Sequence, residues 1–303
     1  MMKFLGFAGV CLLTLASVGA VSAQERETLG IGILSTNDAL GDGVDRWRTG
    51  SLQVSVLRGP SWTGTLGAPG ALMEYRFRGE IVGPDNLFAP AAGDRPYVGA
   101  LWAGAHGHFD WAGFDATAGV DIVVVGEQTG LRNLQSGIHD LLSLPSINVD
   151  AVQIANGTYL HGTLEVARDI AFAGGAIRPF VELQAGVHDL ARAGMDVTFG
   201  SFGEGGLRLR NPATGQRIQG ITAPDDRGLS LLLGGDWAYV SRSAFLPASS
   251  GVTVEDAQYR LRAGVNYGLG AANIFYGLTY LSEEFTGQSE GQVVGSVTLS
   301  LLF

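Results

Sequence analysis

Cysteine and lysine occur once each in the 303 residues, at Cys11 and Lys3. Both lie among the first 23, where Lys3 precedes an apolar run from Phe4 to about Val21 and Val21-Ser22-Ala23 forms a small-residue cleavage site before Gln24. Residues 1–23 are therefore read as a signal peptide and 24–303 as the exported chain. That chain has neither disulfides nor thiol chemistry, and Cys11 lacks the preceding small residue that a lipoprotein signal requires. With lysine absent too, 18 Arg face 29 acidic residues, a net charge of about −11. Such acidity excludes nucleic acid as a partner. Any anion must be held by Arg or by a metal.

Long apolar runs are also missing. After the leader no stretch of about 18 apolar residues occurs, so no transmembrane helix is expected. Yet the mean hydropathy is +0.20 and 46 residues are glycine. A membrane β-barrel reconciles these facts, because its strands need only about ten residues alternating apolar outward and polar inward.

The alternation is clearest where Tyr259, Leu261, Ala263, Val265 and Tyr267 interleave with Gln258, Arg260, Arg262, Gly264 and Asn266. It recurs for Val181, Leu183, Ala185 and Val187 against Glu182, Gln184 and Gly186, and for Met73, Tyr75 and Phe77 against Glu74, Arg76 and Arg78. Charge confined to one face predicts a solvated or salt-bridged lumen. The last segment sets Val293, Gly295, Val297, Leu299, Leu301 and terminal Phe303 against Gln292, Ser296, Thr298 and Ser300, and a final Phe on such a strand looks like an outer-membrane barrel.

Strands are expected near 29–37, 49–58, 71–79, 97–108, 113–125, 159–169, 177–188, 192–202, 228–241, 255–268, 270–282 and 291–303. The fold class is all-β, a 12-stranded antiparallel transmembrane β-barrel, an even number as bacterial single-chain barrels require. With both termini periplasmic, 38–48, 80–96 and 126–158 lie outside the cell. The long 203–227 connection falls on the inner side, where connections are usually short, and has room for a hairpin beyond the count.

In the third outer loop Leu131, Leu134, Ile138 and Leu141 recur at helical spacing, with Thr129 able to cap the start and Pro145 to end it. Gln135 and His139, four apart, share one face of this short helix. An imidazole there would stand near Asn37 and Asp38, where the first strand meets its outer loop. Asn37-Asp38 also reads as the opening of a tight turn, Asp45-Arg46 as an ion pair tying the loop down, and Thr49 as an ordinary strand residue.

Five motifs occur in order: Asn37-Asp38; Asp45-Arg46 with Thr49; Asp94-Arg95-Pro96-Tyr97; Gln135 with His139; and Glu284-Phe285-Thr286-Gly287-Gln288. Together they make the chain resemble the outer-membrane lipid A 3′-O-deacylase family, LpxR, over nearly its whole exported length. The resemblance implies a calcium-dependent active site between the outer barrel wall and a loop helix. It maps Asn37, Asp38 and Thr49 onto the polar group at the metal end, with Asn37 and Asp38 as the metal-binding residues, and His139 onto the general base. Asn, Asp and Thr offer only oxygen, which suits Ca²⁺ and not zinc. The implied activity is a carboxylic ester hydrolysis, phospholipase A2-like, that removes the 3′-linked acyloxyacyl chain of lipid A with water activated by His139 and no covalent intermediate. The implied partner is lipopolysaccharide in the outer leaflet of the bacterial outer membrane, met by a monomer. The family's loop after the third strand can supply a lysine; Pro84-Asp85-Asn86-Leu87 has none, and Arg95 belongs to another motif.

Two other functions fit the same fold: a catalytically silent structural barrel, and a small-solute channel through an Arg- and Glu-lined lumen. A serine hydrolase would need more than Ser136 three residues before His139, and no Gly-x-Ser-x-Gly elbow occurs. His106, His108, His161 and His188 read as lumen-filling or structural.

Overall fold

The structure is a computed structural model that describes residues 26–222, 227–269 and 272–301; residues 1–23, expected to be a signal peptide, and Phe303 lie outside the described residues. In chain order the strands are β1 (Glu27–Asn37), β2 (Gly50–Gly59), β3 (Leu72–Val82), β4 (Val98–Trp111), β5 (Phe114–Val125), β6 (Gly157–Ala167), β7 (Ile170–Phe172), β8 (Gly175–Ala185), β9 (His188–Phe199), β10 (Leu207–Arg210), β11 (Arg217–Ile221), β12 (Arg227–Ser243), β13 (Ala257–Leu269), β14 (Ala272–Leu281) and β15 (Gln292–Leu301). Among the described residues one α-helix, α1 (Leu131–Leu141), occurs, in the β5–β6 loop.

The wall runs β6-β5-β4-β3-β2-β1-β15-β14-β13-β12-β9-β8, and antiparallel pairing of β6 with β8 closes it, so twelve strands form the barrel. The short β7 only extends the base of β8. Period-two burial carries the sequence pattern into space. Along β13 every second residue from Arg260 to Gly268 is buried in the lumen, while Leu261, Val265 and Tyr267 stand exposed toward lipid.

The inner connection between β9 and β12 holds the extra hairpin. β10 and β11 pair with each other in a separate sheet and pack inside the barrel against β1 and β2. Their approach needs a bare backbone, for a Cβ on Gly30 of β1 would lie 1.9 Å from the Gly220 carbonyl oxygen. Leu209, Ile218 and Ile221 of the hairpin join Leu34, Leu57, Leu72, Leu232 and Phe275 of the wall in an apolar core. The hairpin tip is tied down by Asn211 Nδ2 donating to Gln53 Oε1 (2.9 Å) and Gln216 Nε2 donating to Thr279 Oγ1 (3.1 Å). The hairpin thus plugs part of a lumen that the sequence pattern predicted to be solvated or salt-bridged.

The rest of the lumen is salt-bridged as expected. Arg262 reaches Asp196 at 2.5 Å and also pairs with Asp236; Arg260 and Arg192 meet Asp236 at 2.9 and 3.1 Å, and Arg210 meets Glu165 at 2.7 Å. Buried charge is tolerable because each partner offsets the desolvation of the other. His106 and His108 belong to this filling, facing Asp121 (3.2 Å) and Glu74 (2.9 Å). His161 and His188 pack around Trp102 at ring separations of 5.1 and 6.3 Å.

Candidate functional site

β1 ends at Asn37, whose side chain opens a 3-10 turn over Asp38–Leu40: Oδ1 accepts from the Ala39 amide (2.9 Å) and Nδ2 donates to the Thr49 carbonyl (2.9 Å). The turn-opening role is therefore real, and it fastens the start of the loop to its end. The Asp38 amide donates to the same Thr49 carbonyl at 3.2 Å, which fixes Asp38 beside Thr49.

Between them the chain reverses at Trp47, held in the left-handed region at φ 47°. A bulky residue sustains that conformation only when its surroundings insist on it. Here the indole is buried against Leu246, Val252 and Phe285, while its carbonyl accepts from the Gly83 amide at 2.6 Å. Arg46 and Asp45 then diverge. Arg46 stacks on Trp47 (4.3 Å) and pairs with Glu290 (2.9 Å) and Asp42 (3.6 Å), so no ion pair forms between Asp45 and Arg46. Asp45 turns instead to His139, with Oδ2 3.1 Å from Nε2.

α1 begins after Gly130, which sits in the left-handed region and offers no side-chain cap; Thr129 belongs to the preceding 3-10 turn and reaches the Leu131 amide only at 3.4 Å. The helix ends at Leu141, ahead of Pro145, whose carbonyl has another use: it accepts a hydrogen bond from His139 Nδ1 at 2.8 Å. A carbonyl only accepts, so the Nδ1 proton is committed and Nε2 is the nitrogen left facing Asp45. Gln135, one turn earlier on the same buried face, takes a hydrogen bond on Oε1 from the Tyr97 hydroxyl (2.9 Å). Tyr97 is anchored in turn by Leu87, Ile147 and Val149, and by its backbone pairing to Val152 and Ile154.

Asp38, Asp45, Thr49 and His139 thus converge, with Gln135 one turn before His139 on the same buried helix face; Asn37 stands behind Asp38 as the residue that shapes the turn. Asp45 and Tyr97 are the members that motif order alone left without a role in the site. The signal for Asp45 was its place four residues before Thr49 in the same loop.

The electrostatics of this cluster are unbalanced. Burial, then the charge of neighbouring Asp45, pushes the Asp38 carboxyl up to about 8. Burial also pushes Asp45 up, against the pull of His139. Asp38 Oδ2, Asp45 Oδ1, Thr49 Oγ1 and Gln135 Nε2 are buried without a hydrogen-bond partner. Unpaired buried oxygens beside two crowded carboxyls are a demand for positive charge. Among the described residues no three His, Cys, Asp or Glu side chains form a metal cluster. A cation here would have two carboxylates and neutral oxygens, a donor set fitted to a hard divalent ion.

Behind the site, Arg48 bridges Glu284 (2.6 Å) and Glu80 (3.2 Å), and Arg95 pairs with Glu284. Burial works to raise the Glu284 carboxyl, but Arg48 and Arg95 outweigh it and hold it well below the usual range. This clamp gives the Asp94-Arg95-Pro96-Tyr97 and Glu284 motifs a common purpose: they lock two loops and the β2 entry together. Arg95 is buried in it and does not face the outer surface.

The helix that carries Gln135 and His139 lies on the outside of the wall. Leu131 of α1 rests over Gly79 and Gly99, which alternate with the lumen-facing residues of β3 and β4. Fold and site together define an outer-membrane β-barrel whose buried polar chemistry is set against its lipid-facing wall.

The family model described as outer membrane protein LpxR matches residues 7–303, and the chain belongs to that family, as an outer-membrane barrel of the lipid A deacylase-like kind. Its fold is similar to that of LpxR from Salmonella typhimurium, at TM-score 0.71 and 17% identity over 90% of this chain and 100% of that one. The β domain of the Bordetella autotransporter BrkA matches at TM-score 0.47 and 12% identity, over 90% of this chain and 99% of that one, too distant to argue from. No curated protein matches the sequence.

Proposed function

We propose that the chain is a Ca²⁺-dependent lipid A 3′-O-deacylase that hydrolyses the ester of the 3′-linked acyloxyacyl group with His139 as general base. The observation that carries this reading is the committed imidazole: Nδ1 is spent on the Pro145 carbonyl at 2.8 Å, which leaves Nε2 as the nitrogen that takes a proton. In the reaction a water oxygen attacks the ester carbonyl as its proton passes to Nε2. The carbon–oxygen bond to the sugar then breaks, and the same proton goes to the departing alkoxide. No acyl-enzyme is needed.

Asp38, Asp45 and Thr49 would hold the calcium ion, with Asn37 shaping the turn that presents them or adding its carbonyl oxygen. When bound, the ion would polarise the ester carbonyl and neutralise the two carboxylates. Gln135 Nε2, a buried donor without a partner whose amide is oriented by Tyr97, is available to an oxygen that gains charge during attack.

The deciding experiment is mass spectrometry of lipid A from cells expressing the chain, with and without chelator, and with His139→Ala. Loss of the 3′ acyloxyacyl mass only with calcium and His139 is expected. Unchanged lipid A from cells carrying a well-folded wild-type barrel overturns the reading and leaves the silent structural barrel.

A further inference from the structure

α1 has three faces, not two. Gln135 and His139 are buried toward the site, Asn133 and Asp140 are exposed and polar, and between them runs a third stripe of exposed Leu134, Ile138 and Leu141. Leu141 is 82% exposed and Leu134 57%, values at odds with a helix bathed in water. The stripe continues past the helix end in Leu142 and Leu144, both exposed, on a segment held by the hydrogen bond from His139 to Pro145.

The stripe also has a neighbour. Leu131 seats the helix on Gly79 and Gly99, on the lipid side of β3 and β4, next to Leu101, which is itself exposed on that side. The apolar stripe is therefore continuous with the barrel's lipid-facing belt, the one interface this fold is certain to have. Eleven residues are too few to cross a bilayer, and an amphipathic helix of this length lies in the plane of the interface with its apolar face down.

We propose that α1 is embedded in the outer leaflet, its Leu134, Ile138 and Leu141 face covered by the acyl chains of outer-leaflet lipids, so that the site beneath it opens sideways to the membrane. The occupant is hydrocarbon because the stripe carries no charge and adjoins a surface that hydrocarbon already covers. The consequence is that an acyl chain reaches His139 without leaving the leaflet. The inference rests on membrane placement and stands whether or not the site hydrolyses lipid A.

The exported chain has no cysteine, so single spin labels are clean reporters. Ile138→Cys, Leu141→Cys and, on the polar face, Asp140→Cys are labelled in the full barrel, reconstituted in lipopolysaccharide-containing vesicles, in both wild-type and His139→Ala backgrounds. Labels at 138 and 141 are expected to collide with oxygen more than with an aqueous nickel chelate, with the reverse at 140, in both backgrounds. Two outcomes overturn the proposal. Labels at 138 and 141 that favour the aqueous chelate put the stripe in water. Labels shielded from both agents and broadened by a second label nearby mean that another copy of the chain covers the stripe. Retained depth with no lipid A hydrolysis would overturn only the catalytic reading.

Discussion

Asp45 Oδ2 stands 3.1 Å from His139 Nε2, a contact across 94 residues of chain that joins the first outer loop to the helix of the third. It sets a carboxyl against the imidazole, and burial keeps that carboxyl hard to ionise, against the pull of His139. A calcium ion bound as proposed would compete with the proton for the same few oxygens.

His139→Ala removes the proposed base and leaves a cavity at the rim of the barrel, away from its wall. Deacylation should fall by about 10²–10⁴-fold, the usual worth of a general base, with heat-modifiable migration of the barrel unchanged. Quantified lipid A mass spectra check the first part and gel mobility the second.

Asp45→Asn takes away one negative charge of the pair and the anionic partner of His139. Half-maximal activity should need about tenfold more calcium, measured by titrating calcium into chelated enzyme on mixed micelles. An unaltered calcium requirement would remove Asp45 from the ion's surroundings.

Asp38 sets a pH dependence for the metal-free protein. Its carboxyl ionises near 3.8 when unfolded and only near 8 in the folded loop, so between these values the folded state holds an extra proton. Stability of the loop is then greatest below about 3.8, declines as pH rises through the window, and levels off above about 8. Amide exchange over 38–49 in chelator should quicken across that range. Calcium should flatten the trend, since the ion replaces the proton.

Glu284→Gln leaves Arg95 buried without a carboxylate and takes one of the two partners of Arg48. Breaking such a pair costs roughly 3 kcal/mol, expected as a lower unfolding midpoint and as loosened exchange in the loops around Tyr97. If the midpoint stays put, the clamp behind the site is dispensable.

Replacing residues 207–221 with a short Gly-Ser link removes the hairpin from the lumen. The intact chain should show no single-channel conductance in planar bilayers, because the hairpin and the salt-bridged side chains around it fill the barrel. The hairpin-deleted barrel should conduct. Conductance by the intact chain would revive the channel reading.

The barrel was legible residue by residue, because a strand with lipid on one side and lumen on the other writes its period into the sequence. Tyr259 to Tyr267 show it, and the twelve expected strands fall within a few residues of those observed. Helical spacing likewise revealed α1, together with the shared face of Gln135 and His139. The length of the 203–227 connection left room for a hairpin, but its strands and its place were not legible: β10 and β11 are four and five residues long, too short for an alternation to stand out, and their position inside the barrel depends on Gly30 yielding room on a strand far away in sequence.

Sequence by itself determined the strand count, the oxygen-only chemistry of Asn37, Asp38 and Thr49, and the confinement of lysine and cysteine to Lys3 and Cys11. Each is a matter of residue type or of local period. Only the tertiary structure decided that Asp45 belongs to His139 and not to Arg46, that Arg95 is spent on Glu284, that Tyr97 orients Gln135, and that α1 leaves an apolar stripe exposed. Those are pairings between loops with no repeating pattern. Their partners are chosen by which side chains closure of the barrel brings within a few ångströms, and no period along the chain encodes that choice.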